Sequence, residues 1–515
     1  MNVGIIDLLG KEPPKNGYSR LMRANNASIM AQVVGVWAEE LGHRASIAYY
    51  SGNVLMSGGL PDDIEIVFIN AFSQTSLLAY AMSNRFRSKG LVTVLGGPHA
   101  RSYPEDAAKH FDYVVGLCNK STLQEILDEH SQYRPLGRYI SATEQPASLP
   151  GLRQRWKFLR PTMEQAKVLR LVPMIGSLGC PYTCSFCIDA VVPYQPLQYD
   201  TVKDDLRFLR ELKLPRSVAA WHDPNFGIRF DEYMDLMEDA IPPGSLPHIG
   251  EMSLSLLSED HLKRLKKNRF LAIAPGIESW YDIGGKSKLK NKRGEEKVRR
   301  VAEHANMVQR YIPYTQCNLI FGLDADEGPE PYELTKLFIE LAPAVYPHFA
   351  LLSAFGRNAE LNLGYQKDNR VLPVPFHFLD LIRSSNVIPR NYTWLEFYDH
   401  VVDAFDTAFS RRAIRRRFTK NSHTSSRFEQ LLRGISSDRR SRLGHQRYMR
   451  EQFNDPNVRA FFEGETRTIP DMFVNKVQKD LGPLWEWLPE GTLDYDPNAY
   501  LNSKLQHPLP VLATA

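Results

Sequence analysis

Apolar positions in the first 130 residues come in short runs set between longer stretches of helical spacing. Residues 3–8 form the kind of run a buried parallel strand needs. Residues 28–41 put Ile29, Val33, Val36, Trp37 and Leu41 on one helical face and close on Gly42. The alternation continues with predicted strands at 45–50, 64–71, 91–95 and 112–115 and helices at 76–87 and from 122 to 128. An α/β chain of this kind predicts a Rossmann-like, doubly wound parallel sheet over residues 1–132. Such a sheet binds ligands beyond the carboxyl ends of its strands. Residues 133–165, rich in Pro, Ser and Arg, read as a linker. Between 166 and 374, predicted strands at 168–175, 217–221, 248–254, 271–277, 314–321 and 349–355 alternate with helices at 202–212, 230–240, 259–266, 295–309 and 331–341. Six strands in that rhythm predict a partial (β/α)6 barrel with its site at the carboxyl ends of the strands. Residues 375–515 read as a mainly helical region. In it, 394–409 carries Leu395, Tyr398, Val401, Val402 and Phe405 at helical spacing.

Composition narrows this picture only a little. At 515 residues and 43% hydrophobic, the chain has the size for about three domains and an ordinary core. A net charge of +4 does not by itself call for a nucleic-acid partner. No run is long and apolar enough to predict a membrane span. The first nine residues read as a strand rather than a leader, and the unpaired cysteines point to a reducing cytoplasm. From Arg411 to Arg450 the sequence is strongly basic, with only Glu429 and Asp438 to oppose it. A nucleic-acid or phospholipid contact is open to such a stretch, but aromatic residues are sparse there and the final segment is acidic, so an exposed helical face is expected instead. A second basic run, 286–293, beside Gly284 and Gly285, reads as a solvated loop over the barrel mouth.

The chemistry concentrates in one stretch. Of five cysteines, Cys180, Cys184 and Cys187 lie within eight residues, spaced by three and then two. Thiolates at that spacing can hold three irons of a cubane [4Fe-4S] cluster and leave the fourth open to a small molecule. A zinc site would want a fourth ligand from a paired motif, and Cys118 and Cys317 stand alone.

With Phe186 just before the third cysteine, this loop resembles the cluster loop of the radical S-adenosylmethionine (radical SAM) enzymes. The resemblance implies that S-adenosylmethionine chelates the open iron and is cleaved, after one electron from the cluster, to a 5′-deoxyadenosyl radical. Gly276-Ile277-Glu278-Ser279 is similar to the fourth-strand element of that family, and Gly322 ends the fifth predicted strand. By the same resemblance Phe186, Asp223, Asn225, Glu278, Ser279 and Gly322 would contact S-adenosylmethionine. Capping the next helix is the other role open to the polar four. Asp324 stands where the family commonly has proline.

The first domain resembles the cobalamin-binding domain that precedes the barrel in one subgroup of the family. That resemblance rests on Ser73, Thr75 and Leu77 after the third predicted strand and on Gly96, Gly97 and Pro98 after the fourth, which would line the cofactor. The Asp-x-His-x-x-Gly loop of classical cobalamin proteins is missing, because the first histidine is His43. Any cobalamin would be held without that ligand. The resemblance implies a methyltransferase acting on an unactivated carbon, with a cyclase, rearrangement enzyme or dehydrogenase without cobalamin as the alternative; a non-catalytic iron–sulfur protein that binds nucleic acid through the arginine-rich segment is a third reading of the residues. The resemblance also implies a small-molecule substrate and an electron donor such as flavodoxin or ferredoxin. Tyr194, His222, Tyr281 and Arg357 are candidate substrate contacts.

Overall fold

A computed structural model describes residues 1–130, 136–166, 168–281, 293–356 and 358–503. Arg357, nearly all of the basic run 286–293 and the chain beyond Ser503 lie outside the described residues. The first sheet is built from β1 (Asn2–Gly10), β2 (Arg44–Ser51), β3 (Val54–Gly58), β4 (Ile66–Asn70), β5 (Val92–Gly96), β6 (Tyr113–Val115) and β7 (Arg138–Ile140), in the order β3-β2-β1-β4-β5-β6-β7. All neighbours are parallel except β3, which pairs antiparallel with β2. The chain leaves β1 first for β2 and later for β4 on its other side. A topological switch point, where such sheets bind ligands, therefore lies between β1 and β4.

Alternation along the central strands sorts the core. Ile6, Leu8, Val67 and Ile69 belong to the apolar cluster shared with the C-terminal helices. Val3, Ile5, Ile66 and Phe68 belong to the cluster that continues into the second half of the molecule. Both faces are dry, which is why these strands read as unbroken apolar runs.

The stretch expected as a linker is structured. It supplies β7 and the helix Leu152–Gln165, whose Leu152, Phe158, Leu159 and Met163 are buried. Gly35, on the helix Ile29–Glu40, lets the two helices touch, since a Cβ there would sit 2.8 Å from the Phe158 ring. Apolar residues four and seven apart were present in this stretch, but Pro161 and the surrounding arginines masked them. Strand β3 was also missed, being short and half exposed.

The second sheet begins at β8 (Arg170–Met174). A two-stranded collar follows, β9 (Ser177–Leu178) against β10 (Gln195–Pro196). Then come β11 (Ser217–Trp221), β12 (His248–Gly250), β13 (Phe270–Ile273), β14 (Gly276–Glu278), β15 (Tyr314–Phe321) and β16 (Tyr346–Leu351). The large sheet is parallel throughout, in the sequential order β8, β11, β12, β13, β15 and β16. Strand β14 pairs with β15 beyond β13, so β13 and β14 are one strand broken at Ala274-Pro275. All carboxyl ends therefore share one edge. Strand β12 stops at Gly250, short of the expected 254, because Phe226 N–H bonds Glu251 O and Asn225 holds Ser253. The last strand starts three residues and ends four residues earlier than expected.

The helix Trp394–Phe409 covers β16, with Phe405 5.1 Å from the Phe349 ring. A charged cluster ties this C-terminal region to the first sheet. Buried Lys11, just past β1, pairs with Asp380 at 2.8 Å, and Glu12 pairs with Arg383 at 2.6 Å and Lys476 at 2.9 Å.

Candidate active site

The cysteine loop leaves the carboxyl end of β8 and is closed at its base by the β9–β10 collar. Gly179 sits at the crossing with φ +64°, and a Cβ there would lie 2.4 Å from Pro193 O and 2.5 Å from Val192 O. Only glycine fits the close approach and the left-handed backbone together. Turns follow in succession, Cys187 N–H to Cys184 O at 2.9 Å and Ala190 N–H to Cys187 O at 3.2 Å. Cys180 and Cys184 are buried, and Cys187 and Phe186 are half-buried. None of the five cysteines is joined in a disulfide. Cys317 lies inside β15, where burial pushes its thiol up to about 12, an inert core position.

Among the described residues no three His, Cys, Asp or Glu side chains converge on one ion. A cubane does not ask for that, because each thiolate binds its own iron. A set of three soft donors on one glycine-hinged loop fits such a cluster.

Asp223, at the end of β11, is fully buried, and its carboxylate accepts from Gly176 N–H at 2.9 Å and Ser177 O–H at 2.7 Å. It fastens the root of the cysteine loop to the neighbouring strand. Burial raises its pKa to about 6, against the pull of those hydrogen bonds. Asn225 does the same one strand over, donating to Ser253 Oγ at 2.7 Å and accepting from Ser253 N–H at 3.1 Å.

Glu278, at the end of β14, has φ +66°, a left-handed backbone that non-glycine residues avoid. Its carboxylate folds back over Gly276, where a Cβ would collide with Glu278 Oε1. Ser279 Oγ accepts from Tyr281 N–H at 3.1 Å, and buried Lys297 donates to Ser279 O at 2.7 Å and Tyr281 O at 3.1 Å. Lys297 was not singled out, because in sequence it is one lysine among several charges on a helix. Gly322 has φ +93°, and its N–H and that of Leu323 both bond Asp326 Oδ2, at 2.9 and 3.1 Å. Burial raises Asp326 to about 7. Asp324 is held in a two-pronged pair by Arg370 at 2.7 and 2.8 Å, which gives an acidic residue there a partner.

A cavity of ≈ 390 Å³ opens between the two sheets. Its walls combine Gly96, Gly97 and Pro98 from the first sheet with Ser177, Leu178 and Gly179 from the root of the cysteine loop. It runs inward past Ile5, Val94 and Leu123 and is mainly apolar. His222 also lines it. Ser73, Thr75 and Leu77 do not. They are buried in the turn Ser73–Thr75 and the helix Ser76–Arg87 behind the wall, where Thr75 Oγ1 bonds Phe72 N–H and O at 3.0 Å.

Gly97 takes φ +94° and ψ −175°, and a Cβ there would lie 2.5 Å from Asn70 Oδ1. Bare backbone thus forms that wall. Fully buried Asp7 organises the floor, accepting from Ser28 N–H at 2.7 Å, Ser28 O–H at 2.8 Å and Asn70 Nδ2 at 2.9 Å. A lone carboxylate inside the apolar run 3–8 was its only sequence signal. Arg101 closes one side, reaching Asp189 two residues past Cys187 at 3.5 Å. A bare-backbone turn, an apolar slot and a small polar floor at the switch point fit a large flat cofactor with a tail.

The chain pairs a doubly wound sheet with a six-strand parallel sheet that carries a Cys-x3-Cys-x2-Cys loop. Solved structures share this fold. The chain superposes on the cobalamin-dependent S-adenosylmethionine radical enzyme OxsB with a TM-score of 0.52 and 11% identity, over 94% of this chain and 84% of that one. For the aqua-cobalamin form of OxsB the TM-score is 0.51, over 95% and 80%. No family model matches the sequence. Among curated proteins, it is 24% identical over 310 residues to bacteriochlorophyllide d C-12(1)-methyltransferase of Chlorobaculum tepidum, 58% of this chain and 65% of that protein. It is 29% identical over 128 residues to bacteriochlorophyllide d C-8(2)-methyltransferase of the same organism, 24% of this chain and 28% of that protein. The chain thus spans less than two thirds of either curated relative.

Proposed function

We propose that this chain is a cobalamin-dependent radical SAM methyltransferase that acts on an unactivated carbon of a small molecule. One observation carries the reading: a single cavity has the cysteine-loop root as one wall and the glycine turn of the first sheet as the other. A methyl donor and a radical source must meet over one substrate, and this cavity adjoins the places for both. The two curated relatives are methyltransferases by name and lend support.

In this reading Cys180, Cys184 and Cys187 hold a [4Fe-4S] cluster. The second sheet is the partial (β/α)6 barrel around it. The domain boundaries fall near 132, 166 and 375, and the helix Leu152–Gln165 packs with the first domain. When bound, the cluster and S-adenosylmethionine supply the radical that removes a substrate hydrogen, and cobalamin supplies the methyl group. The chain's own residues position and shield. Asp223 anchors the loop root, so the three thiols keep a fixed relation to the strand ends. Glu278 and Ser279, with Phe186 and Gly322, frame the place for S-adenosylmethionine, and Gly96, Gly97 and Pro98 give cobalamin a backbone wall. The buried apolar lining excludes water from a reactive centre. Electrons come from a donor such as flavodoxin or ferredoxin in a reducing cytoplasm.

The test is anaerobic reconstitution with iron, sulfide and hydroxocobalamin, followed by reduction with S-adenosylmethionine present. Iron–sulfur absorbance, retained cobalamin and 5′-deoxyadenosine are the expected products. Cys184→Ala should abolish 5′-deoxyadenosine. Its persistence in that variant would sink the proposal, and loss of cobalamin alone would favour a cobalamin-independent radical SAM enzyme.

A further inference from the structure

The arginine-rich segment has two different faces. Residues Thr424–Arg433, the π-helical stretch Gly434–Leu443 and Gly444–Gln452 run on as one helix, with helical backbone at both junctions. Its inner face consumes charge. Arg433 lies over the Tyr346 ring at 4.0 Å and donates to Tyr314 Oη at 2.6 Å, and Arg417 on the preceding helix Arg411–Lys420 is buried. Both acidic residues of the segment turn inward as well. Asp438 is fully buried beside Arg433 and Arg442, and Glu429 accepts from Tyr18 O–H at 3.2 Å.

Between residues 411 and 450 the outer face therefore carries no carboxylate, and exposed Glu451 lies just beyond, one turn past Tyr448. This face exposes Phe428 at 61%, Leu432 at 43% and Ile435 at 46%, four and then three residues apart, so they form one row along the helix. Tyr448 lies further along and is 43% exposed. The Phe418 ring meets Phe428 edge-on at 5.8 Å and joins the neighbouring helix to this row. Arg411 and Arg415 precede Phe418 by seven and three residues and share its side of that helix. Arg411, Arg412, Arg415, Lys420, Arg439 and Arg440 are exposed or half-buried, and none of their side chains forms a hydrogen bond or ion pair among the described residues.

We propose that this face docks the protein on an anionic lipid surface. Large apolar side chains in a row, flanked by arginines, match the arrangement of helices that lie in the plane of a charged bilayer surface. The apolar row enters the headgroup boundary while the arginines meet lipid phosphates. No helix among the described residues is long and apolar enough to cross a membrane, and this contact needs none. The face lies beside Tyr314, at the amino-terminal end of β15. Docking there leaves the carboxyl ends of the strands, and the cysteine loop, turned away from the lipid.

The experiment is cosedimentation of the full chain with vesicles of equal parts phosphatidylcholine and phosphatidylglycerol, against phosphatidylcholine alone. Binding to the anionic vesicles is expected, with little to the neutral ones. It should weaken as salt rises. Phe428→Ser/Leu432→Ser/Ile435→Ser and, separately, Arg411→Glu/Arg412→Glu/Arg415→Glu should each lower the partition coefficient by roughly tenfold or more. Circular dichroism and retained iron–sulfur absorbance check that both variants stay folded. No binding to anionic vesicles, equal binding to neutral ones, or unchanged binding by the triple-serine variant would overturn the proposal. So would a wild-type dimer that the serine variant dissolves while vesicles go unbound, since the face would then be a protein contact.

Discussion

Glu278 shows how one residue can work against the fold that carries it. Its left-handed backbone costs about 1–3 kcal/mol, and glycine would remove most of that cost. Glu278→Gly should raise the melting temperature, by about 1 kcal/mol of stability, while weakening S-adenosylmethionine binding by roughly tenfold or more. A variant that melts lower would show that the conformation stores no strain.

Asp326 offers a pH test. Its ordinary pKa of 3.8 is raised by burial to about 7, so its protonated form suits the folded state better. The stability tied to this group is fully present below pH 3.8 and is lost as pH rises through about 7. One oxygen takes both backbone N–H groups, so asparagine can keep both bonds without the charge. Asp326→Asn should gain on the wild type between pH 5 and pH 8, by on the order of 3 kcal/mol in denaturant unfolding. An equal difference at both pH values would refute this account.

At the scale of elements, the residues that matter sit where strands end. Gly97 uses a backbone region open essentially to glycine alone, and its neighbours leave no room for a Cβ. Gly97→Ala should cost about 1–3 kcal/mol and lower the cobalamin retained per protein, read from absorbance after gel filtration. Retention at the wild-type level would mean that this turn does not form the cofactor wall. Element types were largely legible in the sequence. Ser217–Trp221, Phe230–Ala240, Tyr314–Phe321 and Trp394–Phe409 lie where the apolar periodicity placed them. Legibility failed where burial came from packing rather than pattern. The helix Leu152–Gln165 intersperses charged residues along its length and packs Phe158 against Gly35 of the helix Ile29–Glu40. Ser73, Thr75 and Leu77 adjoin the right turn in sequence, but side-chain direction in the turn and helix sends them behind the cavity wall.

The molecule as a whole is held together by contacts far apart in sequence. The Lys11–Asp380 pair joins the first sheet to the C-terminal region, and both groups are nearly dry. Asp380→Ala leaves buried Lys11 with the His377 carbonyl but no carboxylate, and should destabilise the chain by about 3–5 kcal/mol, seen as an earlier urea midpoint. A midpoint that does not move would mean that water or Glu12 replaces the carboxylate. The cysteine spacing, the glycine turn and the alternation of strands with helices are local features, and the sequence by itself determined them because each is set by neighbours within a few residues. The shared cavity, the anchoring of the cysteine loop by Asp223, the polar floor of Asp7, Ser28 and Asn70, and the division of the arginines between an inner and an outer face were decided only by the tertiary structure. Each depends on which distant segments meet, and that choice is made by the packing of the whole chain rather than by any stretch of it.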